Sequence, residues 1–233
     1  MIYVSSDWHG WPLEEIEGLL DRAGFGEDDY LFVLGDVIDR GAHGAELLRW
    51  LTWQPNVQLI QGNHEAMLLS CAHLFQKFTD ESQVDQLLER KALLDNWMAN
   101  GGSATLKGLS RILKEDEDEL EGIVEYVQDA PLYDTVDVGG RRYILVHSGI
   151  ENFDPGKDLD DYEADEFLWA RPDLNTTYYQ DATVIFGHTP TVCFGEQYLG
   201  KPVYTDSWIC IDTGTGSGQP PVLLRLDDMK EFY

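Results

Sequence analysis

Basic residues are scarce in this chain: 16 lysines and arginines stand against 43 aspartates and glutamates, a formal net charge of −27. That balance repels the phosphates of nucleic acid and the anionic headgroups of membranes, so neither is expected as a partner. Cysteine is almost missing. Cys71, Cys193 and Cys210 are odd in number and form no C-x-x-C pair, which argues against a disulfide framework or a cysteine zinc site and suits a reducing compartment. No apolar run approaches membrane-spanning length, and Met1-Ile2-Tyr3-Val4 leads straight to Asp7 without the basic region, apolar segment or cleavage site of a signal peptide. A cytoplasmic monomer is expected. There is no fixed-period repeat and no low-complexity linker, and 233 residues commonly form one domain, so residues 1–233 are read as a single unit.

Against these absences stand five short polar clusters, each just after an apolar run: Asp7-x-His9, Gly35-Asp36-x-x-Asp39-Arg40-Gly41, Gly62-Asn63-His64-Glu65, His147-Ser148-Gly149 and Gly187-His188-Thr189. Four of the six histidines fall inside them. His43 and His73 do not; the first is expected at an exposed helix start and the second on a helix face.

The first third repeats one pattern, a β-rich apolar run, a polar cluster and a helical stretch, which is βαβαβ grammar. Ile2-Val4, Tyr30-Leu34 and Val57-Ile60 are the strands; Leu13, Ile16, Leu19 and Leu20 recur at helical spacing until Gly24. In such units the loops at the carboxyl ends of parallel strands collect ligands. Residues 65–128 read mainly as helix, with Ala66-Phe78, Val84-Ala99 and Leu120-Val127 the clearest segments, and are expected to form a helical insertion capping one side of the cleft. The run Lys114-Glu115-Asp116-Glu117-Asp118-Glu119 suits an exposed loop or a helix start, where acids are favourable. Beyond Pro131 short strands take over: Asp134-Val138 and Arg142-Val146 flank the hairpin signal Gly139-Gly140, and Thr183-Phe186, Val203-Thr205, Ile209-Ile211 and Val222-Leu226 follow. A second sheet packed on the first is expected from them.

The clusters supply aspartate, asparagine and imidazole in the numbers a two-metal hydrolytic centre requires. Asp36, ending a strongly apolar strand, is the best bridging carboxylate; Asp7 and His9 can reach one metal, and Asn63, His147 and His188 the other. A mixed nitrogen and oxygen set without thiolate suits Mn, Fe or Zn better than Ca or Mg. His64 follows Asn63, and adjacent residues of an extended segment point apart, which leaves it free to act as an acid with Asp39 holding its imidazolium. Arg40 and Arg171 offer planar forks for phosphoryl oxygens. Simpler readings exist for the parts: Asp7-x-His9 as a helix cap, Gly187-His188-Thr189 as a turn, Arg40 as an ion-pair partner of Asp39, Arg171 as a surface charge. The tryptophans suit core or cleft walls, with Trp8 and Trp11 placed to line a substrate mouth.

In this order the clusters resemble the phosphoprotein phosphatase family of calcineurin-like metallophosphoesterases, over nearly the whole chain. Asn96-Trp97-Met98-Ala99-Asn100-Gly101-Gly102, Trp169-Ala170-Arg171 and Ile211-Asp212-Thr213-Gly214 resemble its bacterial and bacteriophage lambda-type Ser/Thr phosphatases. The resemblance implies a four-layer α/β/β/α sandwich and two divalent metals, usually manganese. It implies Asp7 and His9 at one metal, Asp36 at both, and Asn63, His147 and His188 at the second. It also implies His64 as general acid paired with Asp39, Arg40 and Arg171 on the phosphate, and direct attack by a metal-held hydroxide. The implied substrate is a phosphoserine or phosphothreonine protein or peptide. Symmetrical hydrolysis of diadenosine tetraphosphate is the alternative activity, and an inactive phosphoprotein-binding scaffold the alternative of another class. The Ser-Ala-Pro-Asn-Tyr-Cys segment of the larger eukaryotic enzymes is missing, so their regulatory-subunit binding is not implied.

Overall fold

The computed structural model describes residues 1–75 and 87–233. The predicted helix ends at 76–78 and 84–86 lie outside the described residues. Three parallel strands, β1 (Ile2–Ser5), β2 (Tyr30–Val33) and β3 (Val57–Leu59), set Ile2 opposite Tyr30 and Leu31 opposite Val57. Their crossovers are α1 (Leu13–Ala23) and α2 (Gly44–Leu51). On α1 the periodic Ile16, Leu19 and Leu20 are buried, and Gly24, at φ 72, turns the chain out of the helix with its amide bonded back to Asp21 and Leu20.

Between β3 and the second sheet come α3 (Asn63–Ser70), α4 (Leu87–Ala99), α5 (Ser103–Glu115) and α6 (Glu117–Gln128). The acidic run starts α6 as anticipated: the Asp116 carboxylate accepts from the Glu119 amide at 3.1 Å, and Glu117, Asp118 and Glu119 occupy the first turn. Met67, Trp97, Leu109, Ile112, Leu120 and Val127 from these helices share one buried cluster with α1, α2 and the first sheet. Each such side chain contributes roughly 1.5–3 kcal/mol on burial, so the helices are bound to the sheet by its own core.

The second sheet contains β4 (Tyr133–Val138), β5 (Arg141–Val146), β6 (Ala182–Phe186), β7 (Val203–Tyr204) and β8 (Trp208–Cys210), in the order β4-β5-β6-β8-β7. β5, β6 and β8 are parallel, with antiparallel β4 and β7 at the edges. Gly139 and Gly140 make the hairpin turn at φ 60 and 81, values that glycine adopts without penalty. The helix α7 (Ala164–Leu168) lies outside this sheet, burying Phe167 and Leu168.

One strand went elsewhere. β9 (Leu223–Arg225) belongs to the first sheet, antiparallel to β1 with Leu224 opposite Val4, and the unanticipated β10 (Lys230–Phe232) pairs beside it. Two adjacent leucines, buried on opposite faces of a three-residue strand, carry no information about its partner, and Lys-Glu-Phe carries no alternation to detect.

Period-two alternation builds the layers. Tyr3, Leu31 and Val33 face the helices; Val4, Phe32 and Leu34 face the second sheet. Tyr143, Leu145 and Ile185 meet them there, while Ile144, Val146 and Val184 turn to the opposite side with Phe167 and Tyr178. The result is the expected α/β/β/α sandwich of two mixed sheets flanked by helices. The carboxyl ends of β1, β2, β3, β5 and β6 open on a single seam.

Candidate active site

All five clusters reach that seam. Asp7 and His9 follow β1, Asp36 to Arg40 follow β2, Asn63 and His64 start α3 after β3, His147 follows β5 and His188 follows β6. Backbone bonds tie the loops together: Asp7 amide to Gly35 carbonyl at 3.0 Å, His9 amide to Asp36 carbonyl at 2.9 Å, and Gly187 amide to His147 carbonyl at 2.8 Å. Two glycines permit this closeness. A Cβ on Gly187 would collide with the Asp7 carboxylate, and one on Gly62 with Asp36.

Among the described residues, eight non-glycine residues have positive φ, and Asp7, His9, Asp36, Asp39, Arg40 and His188 are six of them, between 43 and 70°. An L-residue there is strained by about 1–2 kcal/mol, so the loops are held against their own preference by the packing around them.

Two groups of ligating atoms share Asp36. His147 Nε2 is 3.4 Å from Asp36 Oδ1, 2.9 Å from Asn63 Oδ1 and 3.2 Å from His188 Nδ1; His188 Nδ1 is also 2.9 Å from Asn63 Oδ1. On the other side His9 Nε2 lies 3.9 Å from Asp7 Oδ1 and 3.8 Å from Asp36 Oδ2, with His64 Nε2 at 3.8 Å from Asp36 Oδ2. The donor set fits divalent cations. His147 Nδ1 donates to the Leu34 carbonyl at 2.8 Å, which leaves Nε2 a lone pair facing the Asn63 oxygen, and two acceptors that close need a cation between them. His9 Nδ1 likewise meets the Ile38 carbonyl at 3.1 Å, turning Nε2 inward.

Charge favours the same reading. Burial lowers His9 and His188 to about 3, the latter helped by His147, and lowers His147 as well, so these imidazoles are neutral and can offer lone pairs. Burial opposes ionisation of Asp36, but positive charge shared over His147, His64, His9 and His188 outweighs it and holds the carboxyl well below the usual range; His64 is the one of the four whose own pKa is raised. Asp7 is raised by burial and by Asp212 and Asp36; Asp212 and Glu65 are pushed up to about 7, chiefly by burial. Five buried carboxyl groups, Asp7, Asp36, Asp39, Glu65 and Asp212, share one seam, and the upward shifts of three of them measure a crowding that cations would relieve.

His64 is separate in character. Its Nδ1 meets Asp39 Oδ2 at 2.7 Å, and the same oxygen accepts from Trp97 Nε1 at 2.8 Å. Burial disfavours its charged form, yet Asp36 and Asp39 overcome this and raise its pKa. Its Nε2 lies 3.4 Å from Arg40 Nη2, which makes Arg40 a partner of the site rather than of Asp39. Arg171 Nη1 is 3.4 Å from Thr189 Oγ1, and its charge lowers both His147 and His188. The expected reason for the divergence of Asn63 and His64 is corrected: both lie in the first turn of α3, about 100° apart around its axis, not in an extended segment. Trp8 does not line a mouth. It is fully buried with Nε1 on Ser5 Oγ at 2.8 Å, and Trp11 packs partly buried against the helical core. The exposed aromatic beside the site is Trp169, edge-on to His188 at 6.0 Å.

Several residues carry roles that the sequence reading did not assign, Glu65 and Asp212 among them although both stand in its motifs. Glu65 accepts from the amides of Asp36, Val37 and Gly62 at 2.8, 3.0 and 3.1 Å and so clamps the Asp36 loop; its place three residues into a helix after Gly62 was the available signal. Asp212 follows β8 as the other acids follow their strands, and bonds the Gly214 amide at 2.9 Å. Thr105 Oγ1 accepts from the Asp39 amide at 2.9 Å, for which no local signal exists.

Residues 1–212 match the calcineurin-like phosphoesterase family. Serine/threonine-protein phosphatase 2 of Salmonella typhimurium is 26% identical over 217 residues, covering 89% of this chain and 88% of its own. The symmetrical bis(5′-nucleosyl)-tetraphosphatase of Chromobacterium violaceum is 27% identical over a 265-residue alignment, covering 99% and 94%. Among solved structures, that of a candidate diadenosine tetraphosphatase shares the fold at TM-score 0.62 and 16% identity, over 99% of this chain and 90% of that one.

Proposed function

Because the chain belongs to the calcineurin-like phosphoesterases and is therefore a metal-dependent phosphoester hydrolase, we propose that it removes phosphate from phosphoserine and phosphothreonine in proteins. The observation that carries the hydrolytic reading is the buried imidazole His64, set between Asp39 and Asp36 with its Nε2 open to the seam. In this reading Asp7, His9 and Asp36 would hold one divalent cation, and Asn63, His147 and His188, with Asp36, would hold a second. When bound, such a pair lowers the pKa of a water and neutralises charge on the phosphoryl group. His64 is kept for proton transfer in this reading, since its Nδ1 is engaged by Asp39 and the carboxylates of Asp36 and Asp39 raise its pKa against the effect of burial. It keeps a proton on Nε2 and delivers it to the leaving alkoxide, while Asp39 fixes the ring through Nδ1. Arg40 and Arg171 bind the non-bridging oxygens, one from each side of the seam.

The match over 99% of the chain to a symmetrical dinucleoside tetraphosphatase favours a second reading, hydrolysis of diadenosine tetraphosphate at the same centre. Turnover of a phosphothreonine peptide and of the dinucleotide, measured with added manganese, separates the two: peptide turnover supports the phosphatase, and turnover of the dinucleotide alone replaces it. His64→Asn tests the acid, with kcat expected to fall about 10²- to 10⁴-fold at unchanged metal content.

A further inference from the structure

Residues 96–114 contain no aspartate or glutamate, in a chain that carries 43 of them. Within this segment Ala104, Lys107, Gly108, Arg111 and Lys114 share one face of α5 and, with Ala42, line a cavity of about 610 Å³. Arg111 lies 3.8 Å from Glu115, an exposed pair of little strength. Lys107 and Lys114 are exposed and have no ion-pair partner among the described residues. Two uncompensated ammonium groups beside a concave surface are unusual in a molecule of net charge −27, because almost any neighbour would be an acid.

The cavity adjoins the active-site loop. Ala42 lies two residues beyond Arg40, the Arg40 amide bonds the Gly101 carbonyl at 3.1 Å, and Thr105 in the first turn of α5 accepts from the Asp39 amide at 2.9 Å. A rise of about 1.5 Å per residue puts Lys107 some 3 Å, and Lys114 about 14 Å, along the helix axis beyond Thr105, both on the opposite side of the helix from it, so Ala42 and the amino end of α5 join the strip to the active-site loop. Ala42 also precedes His43, the N-cap of α2, whose amino end adds positive field. The acidic remainder of the surface repels an approaching anion, and this strip attracts it.

We propose that the Lys107–Arg111–Lys114 cavity is a second anion site, which takes a phosphoryl group of the substrate other than the one being hydrolysed. The assignment rests on the phosphoester-hydrolase reading and deepens it: the preferred substrates carry more than one phosphoryl group, the second within reach of α5. Chemistry alone does not distinguish a second phosphoserine from the polyphosphate of a nucleotide, so the test carries both.

Kinetics are measured on manganese-loaded protein, parent and Lys107→Gln/Lys114→Gln, with para-nitrophenyl phosphate, a singly phosphorylated peptide, the same peptide with a second phosphoserine, and diadenosine tetraphosphate. The double variant should raise KM about tenfold for a multiply charged substrate, at constant kcat and with para-nitrophenyl phosphate kinetics unchanged. Lys107→Arg/Lys114→Arg should restore it. A rise confined to the doubly phosphorylated peptide identifies a peptide phosphate as the ligand; one confined to the dinucleotide identifies the polyphosphate. Unchanged KM for both overturns the proposal. If the parent hydrolyses none of these esters, the catalytic reading falls, and calorimetric titration with inorganic tripolyphosphate decides the anion site by itself. A binding component lost in the double variant supports it; identical isotherms for parent and variant overturn it.

Discussion

Asp39 Oδ2 accepts two hydrogen bonds, from His64 and from Trp97, and the balance between them sets how readily His64 keeps its proton. A raised histidine pKa means the acid is armed below it and lost as pH climbs through it, so it governs the alkaline limb of the rate profile. Asp39→Asn removes a carboxylate that raises His64; the limb should move to lower pH, and kcat should fall about ten- to a hundredfold. Trp97→Phe removes a donor from the same oxygen and leaves the carboxylate more basic, so its limb should move the other way. The pH dependence of kcat for the two variants checks both signs, and parallel shifts would break the link between Trp97 and the proton.

At the scale of elements, α3 does two tasks in its first turn: Asn63 and His64 face the seam, while Glu65 reaches back to two amides of the Asp36 loop and to that of Gly62 at its own start. Glu65→Ala would strand buried donors at Asp36, Val37 and Gly62, each worth about 1–3 kcal/mol, and should lower unfolding free energy in urea by about 3 kcal/mol or more. Glu65→Gln, which keeps one acceptor, should lose less. The strand-end clusters were legible in the sequence because an apolar run followed by Asp, Asn or His is a local pattern, and the helical periodicity of α1 is another. Trp97 lies 58 residues from Asp39 and Thr105 lies 66, and nothing near any of the three residues encodes the meeting. β9 and β10 failed for a related reason: Leu223 and Leu224 declare burial on two faces without saying beside which strand.

For the molecule as a whole, most of the stabilisation lies in three apolar layers, while Asp7, Asp36, Asp39, Glu65 and Asp212 crowd buried carboxyl groups where the two sheets meet. Cations bound only by the folded chain add about 4 kcal/mol per site at a thousandfold excess over Kd. Chelation should therefore lower Tm by calorimetry, and raising sodium chloride should restore part of the loss by screening the acidic surface. An unaltered Tm, with metal loss confirmed by elemental analysis, would count against metals at this seam. No helix of the described residues is long and apolar enough to cross a membrane. The left-handed residues at the strand ends set selection for thermal robustness against selection for turnover. Arg40 is exposed at φ 65, a conformation glycine adopts freely, so Arg40→Gly should leave Tm no lower while phosphate-ester hydrolysis falls. A lineage released from the need for activity would be free to drift to glycine there, and a glycine at position 40 in a sister sequence would mark a copy that has kept the fold and abandoned the reaction.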